Sequence, residues 1–180
     1  MISADRIMGF IEGEACFGVG IQTETDKRPR KTDTKKHRIR PSLGYRVRPS
    51  FRVSLARKDR EILDELQKTL EVGCVYSVKN QGNRSDMCQY AVQNTQELLK
   101  LIDFFDQQKF YTTKGASYQI WKKIVQMVDK KDHLSKSGFL EICVLREKMN
   151  LIYNKETRLR TSTYLSQKIA GIDRNEREVM

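Results

Sequence analysis

The sequence predicts an α+β domain: two pairs of antiparallel strands alternate with helices, the helices cover one sheet face, and further helices close the chain. Three observations predict it. Apolar side chains alternate along 15–25 and 45–55. Two short apolar runs, 72–79 and 86–93, flank the turn-forming tip Asn80-Gln81-Gly82-Asn83. The segments between them carry apolar residues at the three-and-four spacing of a helix face. Residues 4–14 read as a helix capped by Ser3, with Ile7, Phe10 and Ile11 on its apolar side. In 15–25, Phe17, Val19 and Ile21 alternate with Cys16, Gly18, Gly20 and Gln22, which makes a strand. Residues 26–42, polar and bounded by Pro29 and Pro41, read as a long loop or a ragged hairpin tip.

Residues 45–55 are the most informative strand. Tyr45, Val47, Phe51, Val53 and Leu55 share one parity; Arg46, Arg48, Ser50, Arg52 and Ser54 share the other. A strand sends alternate side chains to opposite faces, so one face is apolar and the other carries a row of arginines. Pro49 predicts an edge or a bulge there. Asp59 is the expected cap of a helix bearing Ile62, Leu63, Leu66 and Leu70, and Thr95 of a helix bearing Leu98, Leu99, Ile102 and Phe105. Helices are also expected over 115–129, over 138–153 with Ser137 as cap, and over 162–170 with Thr161 or Ser162 as cap. The order is α-β-β-α-β-β-α and then helices, with no internal repeat. The expected division is a core over 1–130 and a helical extension over 131–180 packed on it as one domain.

Charge is segregated. The 180 residues carry a net +11, and 27–60 alone hold fourteen Lys and Arg against Asp33 and Asp59. This concentration points to a polyanionic partner, nucleic acid first. The segment lacks the apolar helical face that a membrane surface would require. No apolar run is long enough to span a bilayer, and the first ten residues lack a basic-then-apolar export pattern, so an intracellular protein without membrane association is expected. Cys16, Cys74, Cys88 and Cys143 are widely spaced and the only histidines are His37 and His133, which excludes zinc spacing. Buried, reduced thiols are expected, with a Cys74–Cys88 bridge across the hairpin left open.

The first helix holds an unusual constellation, Ile7-Met8-Gly9-Phe10-Ile11-Glu12-Gly13-Glu14-Ala15. Gly9 and Gly13 lie four apart on one face, where a second helix can approach backbone to backbone. Each glycine costs a helix about 0.8–1 kcal/mol relative to alanine, so the pair needs a reason. Glu12 and Glu14 stand at the helix C-terminus, the end of the dipole that disfavours negative charge. An acid kept there is either solvated or neutralised by a cation.

This segment resembles the signature helix of the LAGLIDADG homing endonucleases. Ile7 stands for the first Leu of the motif, Gly9 for its first Gly, Phe10 and Ile11 for Leu-Ile, and Glu12 and Glu14 for its two acids; Ala15 replaces its final Gly. The αββαββα order and the basic strands also fit that family, best over residues 1–130. The resemblance implies a saddle-shaped antiparallel sheet with helices on one face. With a single motif it implies a homodimer packed through Gly9 and Gly13. It implies that Glu14, helped by the Gly13 carbonyl, binds Mg²⁺ (or Mn²⁺) beside the scissile phosphates, while Glu12 is structural. It implies cutting of both strands at a long, nearly palindromic site in double-stranded DNA, leaving short 3′ overhangs, by an enzyme encoded in an intron. The second catalytic position corresponds to Lys114 in Thr113-Lys114-Gly115, with an electrostatic or water-polarising role. Leu55 and Asp59 depart from polar and basic positions of the family; Arg57 or Lys58 are the candidates to stand in for the basic one.

On the same resemblance, Gln22 and Glu24 share the DNA face with Arg46, Arg48 and Arg52. Arg28, Arg30, Lys36, Arg38 and Arg40 of the basic segment are further candidate DNA contacts. So are Lys79, Asn80, Gln81, Asn83 and Arg84 at the hairpin tip. Arg pairs bidentately with guanine and Asn or Gln with adenine. Lys155, Arg158, Arg160 and Thr161 cluster at a helix boundary like a phosphate clamp. Two other readings compete: a non-cutting binder on the same fold, either an intron RNA maturase or a repressor, and an unrelated RNA-binding module. The last would present aromatics for stacking, whereas the aromatics here follow the apolar parity.

Overall fold

A computed structural model describes residues 3–23, 43–78 and 86–153. Its elements are α1 (Ala4–Glu14), β1 (Ala15–Thr23), β2 (Tyr45–Ala56), α2 (Arg60–Leu70), β3 (Cys74–Val78), β4 (Met87–Val92), α3 (Thr95–Asp106), α4 (Lys114–Asp129) and α5 (Lys136–Tyr153). The four strands form one antiparallel sheet in the order β1-β2-β4-β3. The expected helix at 162–170 lies outside the described residues.

Parity decides the faces, as the sequence predicts. Phe17 and Val19 of β1, Phe51 and Val53 of β2 and Tyr90 and Val92 of β4 are buried under the helices. Their counterparts Cys16, Gly20, Gln22, Arg48 and Arg52 are exposed on the other face. The buried side is strongly aromatic: the Phe17 ring lies 5.0–5.9 Å from those of Trp121, Phe51, Tyr118 and Phe105. Helix α5 joins this core, with Phe139 stacked on Tyr45 at 5.1 Å and Arg146 Nε donating to the Val19 carbonyl at 2.8 Å.

Of the two alternatives at Pro49 the structure shows the edge and no bulge: the β1–β2 register runs unbroken from Ala15↔Val53 to Thr23↔Tyr45. Strand β4 pairs with β2 only from Phe51 to Ala56, so Pro49 sits where β2 has a neighbour on one side alone, and there a missing N–H is tolerated. Several other local expectations are corrected. Asp59 precedes α2 but its side chain caps nothing, because a 3₁₀ turn over Arg57–Asp59 gives it φ −100° and ψ 17° rather than the extended cap conformation. Asn94, not Thr95, caps α3, its side chain accepting from the N–H groups of Gln96 and Glu97. Ser135, not Ser137, accepts from the Gly138 N–H in the first turn of α5. In α2, Ile62 is 41% exposed while Leu63 and Leu66 are buried.

All four cysteines are free, and Cys16 and Cys74 are exposed rather than buried. The hairpin register opposes Cys74 to Ala91 and Cys88 to Ser77. The two thiols therefore point to opposite faces, which closes the question of a bridge.

Candidate active site

Helix α1 starts on the Ser3 cap, whose side chain accepts from the Arg6 N–H. It buries Ile7, Met8 and Ile11, and ends at Glu14, directly before β1. Its opposite face is open. A Cβ built on Gly9 or Gly13 would meet nothing within 4 Å among the described residues, so nothing described in one copy of the chain accounts for two helix-weakening glycines. Beside Gly9, a cleft of about 430 Å³ between α1 and α2 is lined by Arg6, Phe10, Ile62, Glu65 and Leu66.

The two acids at the end of α1 have different surroundings. Glu14 is exposed and takes part in no hydrogen bond or ion pair among the described residues. Glu12 is engaged: its carboxylate accepts from the Tyr111 N–H (2.7 Å), the Thr112 N–H (2.8 Å) and the Thr112 hydroxyl (3.0 Å). Desolvation pushes the Glu12 carboxyl up, but the donors from Thr112 and Tyr111, with the Lys114 charge, hold it below the ordinary value.

Lys114, the first residue of α4, is only 9% exposed. Its ammonium donates to the carbonyls of Ala15 (2.6 Å), Ile11 (3.2 Å) and Gly13 (3.5 Å). These carbonyls lie at the end of α1 and the first residue of β1, where the helix dipole favours a cation; that of Ile11 also accepts from the Ala15 N–H. Burial pulls the Lys114 ammonium below its ordinary value, and the nearby Cys16, Glu14 and Glu12 pull it partly back. Lys114 and Glu14 are thus brought to the same end of α1. Leu55 is half-buried against the core, and Arg57 is paired with Asp86 at 3.1 Å.

The exposed sheet face aligns Gln22 with Arg46, Gly20 with Arg48, Gly18 with Ser50 and Cys16 with Arg52. Gln22 therefore shares a face with the three arginines. Arg48 and Arg52 are exposed and Arg46 is half-buried. Ser50, expected among them, is buried, and it crowds the side of Gly18 where a Cβ would sit 2.9 Å from its Oγ. Glu24, Arg28, Arg30, Lys36, Arg38, Arg40, Lys79, Asn80, Gln81, Asn83, Arg84, Lys155, Arg158, Arg160 and Thr161 lie outside the described residues. Sequence reasoning missed a polar row on this face: Gln89 Nε2 donates to Ser54 Oγ at 2.7 Å, and the Tyr76 hydroxyl donates to Gln89 Oε1. The signal was available, since Gln89 is a polar residue between the buried positions Cys88 and Tyr90.

The family model described as LAGLIDADG endonuclease matches residues 7–125, which takes in most of α1, the whole sheet and most of α4. The chain belongs to the LAGLIDADG endonuclease family. A probable intron-encoded endonuclease 3 of Neurospora crassa is 29% identical over 144 residues, 79% of this chain and 24% of that protein. The chain spans about a quarter to a third of the length of the curated relatives it matches. The crystal structure of the homing endonuclease I-TnaI is similar at a TM-score of 0.66 and 27% identity, covering 91% of this chain and 98% of that one. The fold is also that of the archaeal intron-encoded homing endonuclease I-Vdi141I complexed with DNA (TM-score 0.74, 24% identity, 96% of each chain). The family match begins at Ile7 within α1, and the arginine-bearing sheet face is the one turned away from the helices.

Proposed function

We propose that this LAGLIDADG chain is an intron-encoded homing endonuclease that cuts both strands of double-stranded DNA. It acts as a homodimer on a long pseudo-palindromic site and leaves short 3′ overhangs. The observation that carries this reading is the pairing of one exposed carboxylate, Glu14, with an open glycine face on the same helix. A self-complementary patch favours a two-fold partner. Close approach of two α1 helices through Gly9 and Gly13 would bring two copies of Glu14 together. Residues 1–130 form the catalytic core on this reading and 131–180 an extension, of which α5 packs on the core while residues 154–180 lie outside the described residues. No helix among the described residues is long and apolar enough to cross a membrane, and the reading places the protein inside the cell.

The donor chemistry fits a divalent cation shared between copies. Among the described residues no cluster of three or more His, Cys, Asp or Glu is found. Among the described residues at the end of α1, one chain offers the Glu14 carboxylate and the Gly13 carbonyl, which also accepts from Lys114 at 3.5 Å. Hard oxygen donors suit Mg²⁺ or Mn²⁺, and a second Glu14 together with groups outside the chain would have to complete its shell. When bound, the ion lowers the pKa of an attacking water and stabilises the leaving 3′ oxygen. The chain's own part is to aim Glu14, neutralise the end of α1 through Lys114, and hold the duplex on the face of Gln22, Arg46, Arg48 and Arg52. Arginines in the major groove fix register on phosphates and read guanine edges.

The test uses the purified protein and a plasmid carrying the host gene with its insertion junction uninterrupted. One double-strand break near the junction is expected with Mg²⁺, and none after chelation. Specific binding without a cut would transfer the case to a maturase or repressor, and intron RNA would then be the substrate to test. The dimer has its own test. Gly13→Leu puts a branched side chain on the open face, and sedimentation is expected to show the mass falling from two chains to one with the helix content unchanged. A mass equal to the wild type would refute packing through Gly13.

A further inference from the structure

The carboxylate of Glu12 belongs to a closed ring of interactions that joins two segments about a hundred residues apart. Glu12 accepts from the Thr112 hydroxyl (3.0 Å) and from the N–H groups of Tyr111 and Thr112. The Thr112 hydroxyl oxygen in turn accepts from the Lys114 N–H at 3.3 Å. Lys114 then closes the ring by donating to the carbonyls of Ile11, Gly13 and Ala15, on either side of Glu14. Each segment supplies partners to the other: Glu12 accepts from N–H groups ahead of α4, and Lys114 donates to carbonyls at the end of α1 and the start of β1. The arrangement is two-way, so neither helix end can shift without breaking charge-assisted bonds.

Apart from Glu12, the segment 110–113 is held by Phe110, packed against Phe17, Phe105 and Tyr118, and by the Thr112 and Thr113 carbonyls, which accept from the N–H groups of Gly115 and Ala116 within α4 itself. Tyr111 is 78% exposed, and Thr112 and Thr113 are exposed. Phe110, stacked on Tyr118 at 5.0 Å, is its only ring held in the core. Glu12 is the α1 side chain that hydrogen-bonds the exposed part of this turn, two residues ahead of Lys114. We propose that Glu12 and Thr112 are positioning residues for cleavage: they lock the turn before α4 against the last turn of α1 and so fix where Glu14 presents its carboxylate. This rests on the endonuclease reading. It gives the first acid of the signature helix a mechanical role distinct from that of Glu14, and it makes residues of the exposed 111–112 turn part of the apparatus.

The test compares Glu12→Ala, Glu12→Gln and Thr112→Val with the wild type in single-turnover cleavage of a duplex carrying the uninterrupted junction. A misplaced reacting group can cost about 100-fold in rate, so Glu12→Ala is expected to lose roughly 10–100-fold in the cutting step. Its DNA affinity should stay at the wild-type value, because the arginine face is untouched. Glu12→Gln keeps the accepting oxygen and is expected to recover most of the rate; Thr112→Val should fall between the two. A Glu12→Ala protein that cuts at the wild-type rate overturns the proposal. Parallel loss of cutting and binding does so too, because it would mark a residue needed only for folding.

A second readout does not depend on cutting. The Ala15 N–H bonds to the Ile11 carbonyl at the end of α1. Its hydrogen exchange is expected to accelerate at least tenfold in Glu12→Ala, together with that of Tyr111 and Thr112. Unchanged protection at Ala15 would mean that the ring does not hold α1, whatever the enzyme cuts. If the wild type fails to cut any junction duplex while Ala15 responds as expected, the endonuclease reading fails and the lock stands.

Discussion

Glu14→Gln is expected to reduce DNA cleavage on the order of a thousandfold while specific binding changes by less than about threefold, the magnitude seen when a preorganised electrostatic group at a reacting centre is removed. Glutamine has nearly the same size and Glu14 is exposed without a partner among the described residues, so the substitution leaves the fold intact. What it removes is the negative charge that would hold a divalent cation at the end of α1. On the proposed endonuclease reading the affinity should survive, because duplex contacts would fall to the exposed face of Arg48, Arg52 and Gln22 rather than to the helix end. Cleavage rates and filter binding on the same junction duplex separate the two effects. Equal losses in both would sink the metal role, and undiminished cutting would move the catalytic acid elsewhere.

Lys114→Met is expected to act first on stability. The substitution keeps the length and apolar stem of the side chain but leaves the carbonyls of Ile11, Gly13 and Ala15 without their charged donor in a site that is only 9% exposed. Buried acceptors that lose a charged partner cost about 1.5–3 kcal/mol, and the loss here should lie near the top of that range. That corresponds to a fall in melting temperature of roughly 6–12 °C for a chain of this size. Thermal unfolding at fixed protein concentration measures it, since association also contributes to apparent stability. An unchanged melting point would show that water replaces the ammonium at those carbonyls. Lys114→Arg is the control: it retains the charge but is too bulky for the same three contacts, and intermediate stability is expected.

These two residues also show how far the linear chain speaks. Glu14 was legible as an acid at a helix C-terminus, because helix periodicity and the glycine spacing place it there without reference to any other segment. Lys114 was legible as a candidate only through the likeness of Thr113-Lys114-Gly115 to a family position. Its actual contacts were not legible, since they connect residues a hundred apart. The same holds for Glu12, which was read as structural, while its partners Tyr111 and Thr112 carried no signal in the sequence.

The sheet divides in the same way. Alternation in 45–55 was enough to place Tyr45, Val47, Phe51 and Val53 on one face and the arginines on the other, because side-chain direction in a strand has a period of two whatever the strand pairs with. The register between strands depends on which segments meet. Only the folded sheet set Cys74 opposite Ala91, put Pro49 beyond the end of β4 and buried Ser50 against Gly18. Caps fell between the two. Ser3 was readable, yet Asn94 prevailed over Thr95 and Ser135 over Ser137, because a cap needs an extended backbone whose position neighbouring elements decide. Local periodicity thus wrote the faces and the helices into the chain. The choice of partners, and with it the ring of Glu12, Thr112 and Lys114 around the end of α1, arose only when distant segments packed and satisfied each other's unpaired backbone groups.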